Sequence, residues 1–201
     1  MASLPGSNHN ERLERPMARN DLPSIELLRQ LLRYEPETGR LFWRERSAEL
    51  MCDQAHADTF NTRFAGREAL SSVRYDGYKY GTLQRRTVTA HRVAFALIYG
   101  HWPTADVDHI NGDKADNRAC NLRAATRQQN LRNRRARKTS TSSYMGVCLP
   151  SQRSKWIAQI KIGDRNVSLG AFTSEEEAAL AYDKAAAIHH GEFARLNFPA
   201  S

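Results

Sequence analysis

Residues 155–172 alternate apolar and polar side chains with a period of two, and residues 174–190 then switch to the helical period. In the first strand this predicts, about 155–162, Trp156, Ala158, Ile160 and Ile162 share one face, while Lys155, Ile157, Gln159 and Lys161 share the other. In the next, about 165–172, Val167 and Leu169 oppose Asn166 and Ser168. Ser174-Glu175-Glu176-Glu177 then reads as a capping box whose acidic side chains also complement the helix dipole. Ala178, Ala181, Tyr182 and Ala185 form a stripe down the helix after it. Alanines let a helix lie close on a sheet, so the apolar face is covered and the polar, basic face stays free. With a further strand predicted over about 144–149, the unit is three strands and one helix, a shape that can enter a DNA major groove.

Charge supports a polyanionic partner. The chain carries a net charge of +8, and no Asp or Glu occurs from Asn117 through Gly163. Eleven cations lie inside that block, among them Arg132, Arg134, Arg135, Arg153, Lys155 and Lys161. Each phosphate such a block neutralises releases condensed counterions, which favours nucleic acid over a merely solvated basic face. No stretch approaches the roughly 18 apolar residues of a membrane span. Cys52, Cys120 and Cys148 form no C-x-x-C pair, as expected of a chain kept in a reducing cytoplasm without a zinc knuckle or disulfide framework.

Upstream, residues 1–20 mix Gly, Ser, Asn, Arg and Pro without periodicity and are expected to be a disordered lead-in. Ser24 can cap a helix running to about Tyr34, with Ile25, Leu28, Leu31 and Leu32 as its apolar stripe. A turn over Glu35–Gly39 leads to a strand at Arg40–Trp43, residues 45–70 carry no readable pattern, and two strands are predicted near 78–84 and 87–90. A helix comes next over His91–Tyr99, closed by Gly100 and Pro103. From Val107 to about Arg137 the pattern is two short strands around a polar loop, then a basic helix; residues 138–143 are a polar linker.

The chemistry concentrates in Val107-Asp108-His109-Ile110-Asn111-Gly112-Asp113, where a carboxylate and an imidazole stand side by side before an Asn-Gly turn. Asn121 lies twelve residues after His109, and Asn130 nine after Asn121, on a helix that Thr126 can cap. Phosphodiester hydrolysis needs a base of near-neutral pKa, a hard divalent cation held by oxygen ligands, and positive charge along the DNA backbone. The joint spacing lifts these residues above a chance surface pair. His91 is read as structural, and Asp113, Lys114, Asp116, Asn117 and Arg118 as solvated loop residues. His9, His56, His101, His189 and His190 have no partner at useful spacing.

Residues 91–137 resemble the HNH, or ββα-metal, nucleases of the phage and intron homing-endonuclease branch, through H-R…V-D-H-I-N-G-D…D-N-R…N-L-R…T…Q-N…R-N. The resemblance implies that His109 is the general base, that Asp108 and Asn130 are metal ligands, and that Asn121 holds the loop so that the His ring is oriented. With Asn130 in place of the third letter's histidine, it implies Mg²⁺ or Mn²⁺ rather than zinc.

Residues 144–199 resemble the plant Apetala-two/ethylene-response-factor DNA-binding domain. The motifs are Tyr144-x-Gly146-Val147, Lys155-Trp156, Leu169-Gly170-x-Phe172, Glu177-Ala178-Ala179-x-Ala181-Tyr182-Asp183-x-Ala185-Ala186, Gly191 and Leu196-Asn197-Phe198-Pro199. Positions commonly Arg in the plant pattern are Met145, Cys148 and Asn166 here, and the third-strand Trp is Ser168, so the plant target sequence does not carry over. Arg153, Lys155, Gln159, Lys161 and Asn166 are the expected DNA contacts, with Arg132, Arg134 and Arg135 on the nuclease side. Trp156 and Phe172 are expected in the core.

The expected protein is therefore α+β: a ββα-metal HNH nuclease domain over 21–137 (motif core 91–137), a linker over 138–143, and a three-stranded antiparallel sheet packed on one helix over 144–199. Its expected function is metal-dependent hydrolysis of double-stranded DNA in a bacterial or phage-infected cytoplasm, with no membrane and no obligate protein partner. The alternatives are a non-catalytic, sequence-specific transcriptional regulator built on the same folds, and an RNA-binding protein.

Overall fold

Ser24 opens the first helix by accepting a hydrogen bond from Leu27 N–H, and the chain turns extended three residues before the predicted end. The computed structural model describes residues 22–133, 141–151 and 154–198; the lead-in, Arg134, Arg135, Arg153, Pro199 and part of the linker lie outside that set. The N-terminal half runs α1 (Ile25–Leu31), β1 (Leu32–Glu35), β2 (Arg40–Trp43), α2 (Gln54–Phe64), β3 (Glu68–Ala69), β4 (Ser72–Val73), β5 (Lys79–Leu83), β6 (Arg86–Thr89) and α3 (Ala90–Tyr99). Next come β7 (Asp106–His109), β8 (Leu122–Ala125) and α4 (Arg127–Arg132). The last part holds β9 (Val147–Cys148), β10 (Trp156–Ile162), β11 (Arg165–Phe172) and α5 (Glu175–His190). These strands form three three-stranded sheets and one two-stranded sheet, an α+β architecture.

The predicted helix over 24–34 is corrected at its C-terminal end. Leu32 pairs with Trp43 and Glu35 with Arg40, so 32–35 is the strand that 40–43 required as a partner across the Glu35–Gly39 turn. Cross-strand pairing outweighs the weak helical preference of four residues. Leu28, Leu31, Leu32 and Leu41 still enter one core with Leu83 and Val93, so the apolar stripe survives the change of structure. The unpatterned region holds α2, capped by Asp53, which buries only Ala57 fully; its ring contacts run through Phe60 to Trp43 and Arg46. A helix with so little buried surface leaves no periodic signal.

The β1–β2 turn props up a loop 80 residues away in sequence. Tyr34 donates its hydroxyl to Asn117 O (2.8 Å), Ala119 N–H donates to Pro36 O (3.0 Å), and Gly39, at φ +71°, lies against the Asn117–Arg118 backbone so closely that a Cβ would overlap it. Gly39→Ala combines a left-handed backbone, costing about 1–2 kcal/mol, with overpacking of about 1–3 kcal/mol. Its urea midpoint should fall by the equivalent of about 3 kcal/mol, and an unchanged midpoint would show that the turn and loop do not touch.

In the C-terminal part β11, β10 and β9 form an antiparallel sheet covered by α5. A bulge at Leu169 shifts the register, so that Gln159 faces Ser168 while Ala158 faces Gly170. This phase change places Leu169 and Phe172 in the same core as Trp156, which an unbroken alternation does not allow. The helix buries Ala178, Ala179, Tyr182 and Ala186, with Ala181 and Ala185 at the flank, a rotation from the expected stripe. The tail is pinned by Asp183, which accepts from Asn197 N–H and Phe198 N–H (both 2.8 Å).

Candidate active site

Strand alternation divides the β7 side chains. Val107 enters a core with Ala94, Phe95 and Leu122, whereas Asp106 and Asp108 line a cavity of about 390 Å³ with His109 and Asn130. Asp108 stands directly opposite Arg123 in the β7–β8 ladder. The guanidinium donates twice to Asp108 Oδ2, from Nε (3.0 Å) and Nη2 (2.8 Å), and both side chains are nearly enclosed.

The connecting loop is tied internally. Asn121, buried, accepts from Asn111 N–H (2.9 Å) and donates Nδ2 to Asp116 O (2.7 Å), while Ile110 N–H donates to Asn121 O (2.9 Å). Asp116 in turn accepts from Arg118 and from Asn111 Nδ2, and the Arg118 hydrogen bond holds its carboxyl down at about 2. This mesh ties residues 110–121 to one another.

His109 is 3% exposed and its Nε2–H donates to Asn117 Oδ1 (3.1 Å), leaving Nδ1 with its lone pair. Burial pushes its pKa below the usual imidazole value, against the opposing pull of the Asn117 hydrogen bond and the Asp108 charge. The ring is therefore neutral, as a base must be, near neutral pH. His91 on α3 packs edge-on against it at 5.2 Å between centroids and is itself driven down to about 3 by burial and by the neighbouring His109 and Arg92. Tyr78 covers both rings.

Asn117, read from sequence as a solvated loop residue, is 1% exposed and touches His109 directly. Its loop position carries no periodicity that could have shown this. Asn133, the residue closing α4, was also missed: its Nδ2 lies within reach of both Asp108 carboxylate oxygens (3.1 Å each) and donates to His109 O (2.7 Å). Its spacing of three from Asn130 puts the two amides on one helix face, a signal that could have found it. Asp106 is the third addition, accepting from Asn130 Nδ2 (3.3 Å).

The oxygen donors suit a hard cation. Asp108 Oδ2 carries Arg123, whereas Oδ1 meets Asn133 and keeps acceptor capacity. With its Nδ2 directed to Asp106, Asn130 has its carbonyl oxygen to offer. Among the described residues no three His, Cys, Asp or Glu side chains gather as a metal cluster.

The expected DNA contacts fall in two places. Arg132 is half-buried at the end of α4. Lys155, Gln159, Lys161 and Asn166 are exposed; Lys161 pairs with Asn166 and Gln159 with Ser168 on the sheet face away from α5. Trp156 and Phe172 oppose each other and pack on the alanine cluster.

Residues 88–132 match the HNH endonuclease family model. The chain is 35% identical over 109 residues to an uncharacterized HNH endonuclease of Acanthamoeba polyphaga mimivirus, covering 53% of this chain and 56% of that protein. It is 46% identical over 66 residues to dehydration-responsive element-binding protein 2A of Arabidopsis thaliana, covering 31% and 19% of the two. It is also 46% identical over 59 residues to an AP2/ERF and B3 domain-containing protein of Oryza sativa subsp. japonica, covering 29% and 16%. The chain thus spans only part of each relative. No helix among the described residues is long and apolar enough to cross a membrane. Residues 88–132 are thus similar to HNH endonucleases, in a chain that also carries an AP2/ERF-like region.

Proposed function

We propose that the chain is a metal-dependent endonuclease of the homing type that hydrolyses double-stranded DNA. The observation that carries this reading is the meeting of the buried His109 imidazole with Asp108 and Asn130 around one cavity. Asp108 and Asn130 would hold Mg²⁺ or Mn²⁺, which when bound supplies charge neutralisation at the phosphate and at the leaving O3′. His109 Nδ1 takes the proton from the attacking water, while Asn117 fixes the tautomer through Nε2–H. Asn121 holds the loop that keeps the ring in place. The domains expected over 21–137 and 144–199 divide the work, the second adding affinity through Lys155, Gln159, Lys161 and Asn166, with Arg132, Arg134, Arg135 and Arg153 on the DNA backbone.

Supercoiled plasmid should be converted to nicked or linear product in Mg²⁺ or Mn²⁺ and left intact in EDTA. A protein that binds the plasmid in either condition without cutting it would instead be a DNA-binding regulator, and one that prefers structured RNA in competition would belong to a third class.

A further inference from the structure

The cavity around Asp108 and His109 has a wall that comes from the other end of the chain. After α5 and a 3₁₀ turn at Gly191–Phe193, the chain returns to the β7–β8 hairpin, and Arg195 lines the cavity beside Asp106, Asp108, His109 and Asn130. Two contacts seat it. Arg123, while holding Asp108, donates Nη1 to Glu192 O (2.5 Å) and lies 3.9 Å over the ring of Phe193, which is 8% exposed. Gly112, in the loop after His109 and at φ +71°, lets the Arg195 guanidinium come so near that a Cβ there would overlap Nη1. The C-terminal segment thus grips the catalytic hairpin from the β8 side and from the loop side.

Two further cations, Lys114 and Arg127, line the cavity. Lys114 donates Nζ to Asp76 O (2.9 Å) and sits over the Tyr78 ring, and Arg127 is exposed on α4. A phosphodiester entering beside two carboxylates needs a positive group placed toward it, and a planar guanidinium matches two phosphate oxygens at once. We propose that Arg195 contacts the non-bridging oxygens of the scissile phosphate, so that the segment after the sheet-and-helix unit completes the active site. This rests on the nuclease reading above. Its consequence is that cleavage requires the C-terminal part for chemistry as well as for affinity.

The test uses the full chain on supercoiled plasmid in Mg²⁺ under single-turnover conditions, with duplex affinity measured separately. Arg195→Gln should slow nicking by about 100-fold, the scale for losing one preorganised donor to transition-state charge, with duplex affinity unchanged. Arg195→Lys should recover part of the loss, and added guanidinium ion should accelerate Arg195→Ala but not the wild type. If Arg195→Gln melts early, rescue of Arg195→Ala by guanidinium decides the matter, because a purely structural loss is not repaired by a small cation. Wild-type nicking by Arg195→Gln, a fall in rate matched by the fall in affinity, or no rescue of a folded Arg195→Ala would each overturn the assignment to Arg195 alone. A wild type that leaves plasmid intact overturns the nuclease reading with it.

Discussion

His109→Ala is expected to lower the single-turnover rate of plasmid nicking by about 10³-fold while duplex affinity stays the same. The proposed role of the side chain as base rests on its position and on its lowered pKa. It is buried, so solvent does not level its basicity, and desolvation keeps it neutral. Its Nε2–H is spent on Asn117, so only Nδ1 can accept a proton from water. The substitution also strands a buried amide, which costs about 1–3 kcal/mol, so rates must be compared well below the variant's melting temperature. A His109→Ala protein that is folded and nicks at the wild-type rate removes His109 from the mechanism.

Asp108→Asn produces the second large effect, and it is twofold. On its proposed role as a metal ligand, nicking is expected to fall by about a hundredfold or more, because even the hydrogen-bond partners of such a ligand are worth about 10–100-fold. Stability falls too, since Arg123 keeps its charge in a nearly enclosed site with no carboxylate, a loss of about 3 kcal/mol. The two effects separate in the double variant Asp108→Asn with Arg123→Met. Removing the orphaned cation should restore most of the melting temperature and none of the activity. If activity returns with stability, Asp108 is a structural residue only.

Legibility in the sequence differed from residue to residue for physical reasons. His109, Asp108, Asn121 and Asn130 stood out because a short hairpin and a helix hold them at nearly constant separations along the chain. Asn117 lies in the same loop as Asn121 and inside the D-N-R motif, yet the motif by itself does not say that its side chain turns inward to His109. Leu32–Glu35 passed for helix because Leu28, Leu31 and Leu32 fit a helical stripe, and only pairing with 40–43 reveals the strand. At Leu169 one extra residue reverses the alternation, a change that depends on the partner strand's register.

The two-period pattern of residues 155–190 determined two neighbouring strands under an alanine-rich helix, because alternation and helical spacing are properties of neighbours in sequence. It also assigned Gln159, Lys161 and Asn166 to the uncovered face, where the structure has them exposed. The course of the chain beyond that helix was decided only by tertiary structure. The approach of Glu192, Phe193 and Arg195 to Arg123 and Gly112 joins residues about 70 to 80 positions apart. No local spacing encodes such a contact, since it depends on how one packed unit seats against another.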